Sequence, residues 1–343
     1  LKELLSVEED KLKKVMEEWQ TLMLQVPNVP DISVPEGKSD EENKELKTWG
    51  ERTKFDFEPK SHIDIMTNLD MVDFERGVKV SGFRGYFLKN DGAMLSWAIW
   101  NYAQTFFLER GFTPMLVPAI VRKSNLYGTG HLPNDVEDMY RTQDGDYLAG
   151  TAEISTMGYY ADEVLDGKNF PIKFLSFSPC YRREAGSHGK DTKGILRVHQ
   201  FDKIEMFSFT EPKDSVKEND FLLGLQEEMV QGLELPHRVV HVSSADIGFT
   251  ATNQFDIETW IPSEGKYRET HSCSNTGDFQ ARGLNIKTAG GEYAHMLNAT
   301  ALAVGRTLIA IIENNQTKDG KIRIPKALQD YANKKEIEKP SNS

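Results

Sequence analysis

SPCYRREAGSHGKDTKGILRVHQFDKIEMFSF, residues 178–209, is the densest mixture of alternation and charge in the chain. Its flanks alternate apolar and polar residues as half-buried strands do. Its middle, Ala185 to Gly194, is rich in Gly, Ser, Lys and Asp. The pattern predicts a hairpin with a large tip. A period of two puts Arg182 and Glu184 on one face of the incoming strand, and His199, Phe201, Lys203 and Glu205 on one face of the outgoing strand. A nucleotide needs such groups: guanidinium for phosphate, a ring for a base, carboxylates for amines. By composition alone a solvated charged hairpin accounts for the run equally well.

Working outward, Leu297 to Asn314 (LNATALAVGRTLIAIIEN) is the next informative run. Ala299, Ala301, Ala303 and Gly305 alternate, so one strand face is expected to be nearly bare and open to close approach by a ligand or another element. A helix follows with Arg306 at its start, where a cation opposes the helix dipole and needs a partner. A phosphate or an adenine ring would serve, and so would a salt bridge in a tightly packed interior.

Residues 1–26 carry Leu12, Val15, Met16, Trp19, Leu22, Met23 and Val26 at spacings of three and four, with Leu12, Trp19 and Val26 a heptad apart. This is an amphipathic helix, either packed on the core or the end of a coiled coil. Pro27 and Pro30 stop it, and residues 27–60 read as a linker or wrapping loop. From about Ser61 one domain runs to Tyr331. It begins with a buried-type helix over 92–110. Short strands follow at 114–121 and 172–177, and helices return near 213–232 and 302–315. The run after Tyr331 is polar and is expected to fray. The mixture is α+β, without strand–helix alternation, GxGxxG or GxxxxGK[ST].

In 343 residues, 41 Lys+Arg stand against 53 Asp+Glu, a net charge of −12. That opposes nucleic-acid binding over the whole surface but permits a local patch, for which His188, Lys190, Lys193 and Arg197 are the candidates. Cys180 and Cys273 support neither a disulfide framework nor a Cys-rich zinc site. No apolar run reaches membrane-spanning length, and no signal peptide opens the chain, so the expected setting is the cytoplasm. The chain begins at Leu1 rather than Met, so further sequence is expected upstream.

Thr151-Ala152-Glu153, RREAGSHGKDTKG, RVHQFDKIE, SCSN and AVGRT together resemble bacterial-type seryl-tRNA synthetase, a class II aminoacyl-tRNA synthetase, from about Leu12 to Tyr331. Gly111-Phe112 through Pro118 resembles motif 1, the Arg182 hairpin motif 2, and the run ending in Gly305-Arg306 motif 3. The resemblance implies an antiparallel sheet flanked by helices, a homodimer, and an N-terminal coiled-coil arm that grips the tRNA. Residues 1–26 would be a remnant of that arm, 27–60 a linker, 61–331 the catalytic domain and 332–343 a polar tail.

The resemblance also implies roles for residues. Arg182 would contact the ATP α-phosphate and the serine carboxylate, Glu184 the adenine amino group, and Arg197 the γ-phosphate. Phe201 and Arg306 would sandwich adenine, with the Val198 backbone at its edge. Glu269 and Ser272 would hold Mg²⁺. Thr151 and Glu205 would take the ammonium group of L-serine, Glu205 and Thr300 its hydroxyl, and Glu153, Asn275 and Asn298 would line the pocket. Arg182, Glu205 and Arg306 would carry the chemistry, with tRNA(Ser), and also tRNA(Sec), as acceptor. Gly150, Thr270-His271 and Ala299 depart from the family pattern without removing a charged residue; Ala299 is expected to add a methyl near the pocket floor. Two other roles remain open: a ligase charging a carrier protein, and a non-catalytic paralog.

Overall fold

The alternating runs assemble into one eight-stranded sheet. Its strands are β1 (Lys44–Trp49), β2 (Thr113–Leu116), β3 (Ile172–Tyr181), β4 (Gln200–Thr210), β5 (His237–His241), β6 (Asn253–Ile261), β7 (Lys266–Asn275) and β8 (His295–Ala303). The order across the sheet is β1-β5-β6-β7-β8-β4-β3-β2. Every pairing is antiparallel except β2 with β3. The computed structural model describes residues 2–340 apart from His188 and Lys190.

Six helices are used below: α1 (Lys2–Met23), α2 (Asp91–Leu108), α3 (Glu153–Met157), α4 (Ser215–Gly232), α5 (Val304–Asn314) and α6 (Lys326–Ala332). Strand alternation divides the core. Met206, Cys273, Leu297 and Ala299 face α2, α4 and α5, where Ile99, Met229 and Ile309 meet them. Phe207, Phe209 and Met296 face the other way, onto Met157 and Leu284. Phe207 is fully buried, and truncating such a side chain to Ala typically costs about 3–5 kcal/mol.

The expected hairpin is present. β3 and β4 pair from Ile172↔Phe209 to Tyr181↔Gln200, and the Arg182 N–H donates to His199 O at 3.0 Å beyond the last pair. Its loop returns through Gly194, whose φ is +78°. A Cβ there would lie 2.3 Å from His62 Nε2, so only glycine suits the position.

Four expectations change. Residues 27–60 contain β1, which pairs with β5 at the sheet edge. All six of its residues are exposed, so the strand has no apolar face to betray it in the sequence. α2 is not buried all round: Leu95, Ile99 and Phe107 face the core, while Trp97 is 63% exposed. The run after Tyr331 is anchored rather than frayed, because Ile337 pairs with Ile322 and is 1% exposed; residues 341–343 lie outside the described residues. The core-packed alternative for α1 fails, since Leu12, Val15, Trp19 and Leu22 are all more than half exposed. Among the described residues, no helix is long and apolar enough to cross a membrane.

Candidate functional site

A cleft of about 470 Å³ opens over the hairpin, β7 and β8. Thr151, Glu153, Arg182, Glu184, Arg197, Val198, Phe201 and Glu205 line it, as do Glu269, Ser272, Asn298, Thr300 and Arg306. Strands adjacent in the sheet thus bring together residues more than a hundred positions apart.

At one end stands Glu205, almost fully buried on β4. Its Oε2 accepts from Thr151 Oγ1 at 2.7 Å and from the Ala152 N–H at 2.8 Å. Its Oε1 meets Lys203 Nζ at 2.6 Å, and Lys203 also donates to Thr151 Oγ1 at 3.0 Å. A buried carboxylate so paired escapes most of the penalty of leaving water. Glu153 sits beside it at the start of α3. Glu153 Oε1 accepts from Gln280 Nε2 at 2.5 Å and Asn298 Nδ2 at 3.2 Å. Burial first, then the Glu205 charge, pushes the Glu153 carboxyl up to about 7. His131 Nε2 lies 4.0 Å from Glu153 Oε2, and burial drives its pKa down to about 4.

Between the ends stands Arg182, which donates through Nε to Gly150 O at 3.1 Å and lies over the Phe201 ring with Cζ 5.4 Å from its centroid. At the other end the charges pair among themselves. Arg197 donates to Glu184 Oε2 at 3.0 Å, and its Nε lies 3.7 Å from Asp191 Oδ2. Arg268 meets the same Asp191 oxygen at 2.5 Å. Arg306 reaches Glu269 Oε1 at 3.2 Å and Glu269 O at 3.0 Å, which supplies the partner its place at the start of α5 demands. The Arg306 charge holds the Glu269 carboxyl below its usual range. Across the β6–β7 pair, burial and the Glu269 charge raise Asp256 to about 8.

Several expected residues stand elsewhere. Asn275 does not line the cleft: its Oδ1 accepts the Gly277 N–H at 2.9 Å, and Ser274, one residue back and on the opposite face, takes the cleft position. His199 leaves the Phe201 face. Its Nδ1 bonds Arg182 O at 3.0 Å, and its ring meets Phe83 and Tyr140 in a neighbouring hollow. Ala299 and Ala301 point into the core, so Ala299 adds no methyl to the pocket. A bulge between Thr300 and Leu302 changes the phase, and only Ala303 and Gly305 of the small-residue series reach the cleft. His271 is a core residue, 1% exposed, with Nδ1 at 2.8 Å from Thr270 Oγ1. Of the basic patch, His188 and Lys190 lie outside the described residues, Lys193 is exposed, and Arg197 is bound by carboxylates. Alternation had put Lys203 on the correct face, but nothing in the sequence marked His131, Gln280 or Asp256, which approach from segments far away in the chain.

Residues 136–315, which supply most of these walls, match the family described as the tRNA synthetase class II core domain (G, H, P, S and T). The chain is 47% identical to serine–tRNA ligase 1 of Clostridium acetobutylicum over 324 residues, 93% of this chain and 76% of that protein. The chain belongs to the serine–tRNA ligase family. Solved structures of that family superpose closely. Seryl-tRNA synthetase from Pyrococcus horikoshii, complexed with ATP, has a TM-score of 0.94 at 38% identity, covering 97% of this chain and 80% of that one. The cytoplasmic serine–tRNA ligase of Naegleria fowleri, in complex with AMP, has a TM-score of 0.91 at 36% identity, covering 97% and 81%. The class II fold, an antiparallel-dominated sheet flanked by helices, is thereby established for this chain.

Proposed function

We infer that this chain is an ATP-dependent serine–tRNA ligase, which activates L-serine as seryl-adenylate and passes it to the 3′-OH of tRNA(Ser), and also of tRNA(Sec). One observation carries the reading: a carboxylate-lined pocket around Glu205 lies in one cleft with Arg182 and Phe201. The pocket suits a small hydroxyl-bearing amino acid, and the ring and cations suit ATP. Serine's carboxylate is ionised at neutral pH and is itself the nucleophile. Its oxygen attacks the α-phosphorus as the bond to pyrophosphate breaks, so the first step needs no general base. The obstacle is bringing an anion up to a polyanion, and positioned cations lower it.

In this reading Arg182 holds the serine carboxylate against the α-phosphate. Arg197 takes the γ-phosphate in exchange for Glu184, which turns to the adenine amino group, while Arg306 stacks on adenine opposite Phe201. Thr151 and Glu205 bind the ammonium group, Glu205 and Thr300 the hydroxyl, and Glu153 and Asn298 back the pocket. The same carboxyl end then faces the tRNA hydroxyl, which displaces AMP.

Glu269 and Ser272 would hold Mg²⁺. Two carboxylates and a hydroxyl converge there, with Asp256 raised by burial and by the Glu269 charge, so the hard oxygen donor set suits the ion. Mg²⁺ would supply charge neutralisation on the phosphates.

The uncovered apolar stripe of α1 supports reading 1–26 as part of a coiled-coil arm for tRNA, ahead of the linker 27–60, the catalytic domain 61–331 and the tail 332–343. Exposed Trp97 on α2, with Leu116 at the end of β2 and Ile120 just after it, supports a homodimer through motif 1. A cytoplasmic setting goes with this activity. Serine-dependent ATP–pyrophosphate exchange tests the assignment. Exchange should depend on serine and proceed without tRNA, and supplying α1 with a partner helix should raise tRNA charging while leaving exchange unchanged. Absence of serine-dependent exchange would sink the assignment.

A further inference from the structure

The floor of the pocket holds an acceptor that the roles above leave unused. Thr129, fully buried, spends its hydroxyl proton on Asn125 O at 2.8 Å. Its Oγ1 is therefore an acceptor toward His131 Nδ1, 2.9 Å away. With the hydroxyl proton on the shorter of these two bonds, Nδ1 carries the hydrogen and Nε2 presents a bare lone pair to the cleft. The ring stays neutral because burial makes its cation costly, with Arg182 and Lys203 nearby adding to the effect. The remaining neighbours, Asp135 and Glu205, oppose that shift without cancelling it.

Facing this lone pair at 4.0 Å is Glu153 Oε2. Gln280 and Asn298 both serve the other oxygen, Oε1. Two acceptors thus look at one another across a gap too long for a hydrogen bond. One atom carrying two N–H bonds at a tetrahedral angle spans acceptors roughly 4.4–5.2 Å apart at ordinary hydrogen-bond lengths, so a slight widening of this gap admits it. A hydroxyl has a single proton and can serve only one of them. Resting on the serine-activating function proposed above, we propose that His131 contacts the substrate: its Nε2 accepts from the ammonium group of the bound amino acid, side by side with Glu153 Oε2. Two of the three N–H bonds then go to Glu153 and His131 and the third to the Thr151–Glu205 pair, leaving Thr300 for the hydroxyl.

The test compares the unaltered chain with His131→Leu, which removes the acceptor, and His131→Gln, which restores one. Serine-dependent exchange by the unaltered chain is measured first, and its absence would refute the proposed function rather than this inference. His131→Leu should raise KM for serine by about 10- to 100-fold, the range for losing a hydrogen bond to a charged group, and leave KM for ATP within about threefold. His131→Gln should recover most of that loss. A serine KM unchanged in His131→Leu would overturn the assignment. A measurement on the unaltered chain covers the case in which the Leu variant does not fold. The ¹⁵N resonance of His131 Nε2 should move when 5′-O-(N-seryl)sulfamoyladenosine binds. It should stay in place with the 3-hydroxypropanoyl counterpart, which lacks the amine. Equal movement with both, or none with either, would refute a contact to the ammonium group.

Discussion

At the Glu205 end of the cleft, Glu205, Lys203 and Glu153 are only 4–13% exposed, and Thr151, Ala152, Gln280 and Asn298 bring partners to them from other elements of the chain. At the Arg306 end, Arg197 is 31% and Glu269 49% exposed, and their partners are other members of the same site. The difference is one of dielectric. Buried groups keep their partners because losing one strands a charge away from water. The more open pair, Arg306 with Glu269, is worth about 1 kcal/mol or less, so an arriving ligand can part it at little cost, and an arriving phosphate replaces Glu184 or Asp191 as the anionic partner of Arg197. The amino-acid end is therefore built before the substrate arrives, and the nucleotide end is assembled by exchange of partners. Selectivity should reside in the first, and tolerance of change in the second.

The largest effect should come from asking the buried end to accept a substrate without a hydroxyl. Alanine would leave Thr300 and Glu205 short of a partner, and pockets built to bind a hydroxyl reject such analogues by about 10⁴-fold. Exchange supported by alanine within about tenfold of serine would erase the contrast between the two ends. Next comes Arg182, where the ends meet. Arg182→Ala should slow exchange by at least about 10²-fold, the scale of losing one positioned donor. A loss of threefold or less would mean that the nucleotide end holds both reactants unaided.

A smaller and more pointed effect is expected from pH. Glu153 titrates near 7 instead of the ordinary 4.5, because it is buried beside Glu205. An ammonium group binds the ionised form, so the proton must leave when serine arrives. KM for serine should rise about tenfold from pH 8 to pH 6, and Glu153→Gln should flatten that profile. By the same linkage, a raised carboxyl favours the unliganded fold most below pH 4.5, and that contribution disappears as pH rises through 7. A flat profile in the unaltered chain would place the ammonium group away from Glu153.

Alternation in residues 178–209 was enough to reveal the hairpin and the faces of Arg182, Phe201, Lys203 and Glu205, because a strand's period is a local property. It misjudged His199, which lies where the strand gives way to the loop and the period no longer applies. It wrongly kept Ala303 on the face of Ala299 and Ala301, because the bulge after Thr300 resets the phase of β8. β1 escaped notice because an exposed edge strand buries nothing and so has no pattern to show.

Chemistry that depends on residues close in sequence was thus determined by the sequence alone: the α+β class, the hairpin, its charged face and the motif set of the family. Tertiary structure decided which groups meet. Gln280 reaches Glu153, Asp256 lies beside Glu269, and His131 turns a lone pair toward the pocket, because separate segments close on one cleft. The pKa of Glu153 and the tautomer of His131 follow from that closure. Desolvation and hydrogen-bond partners are properties of the space around a group, and no spacing along the chain encodes them.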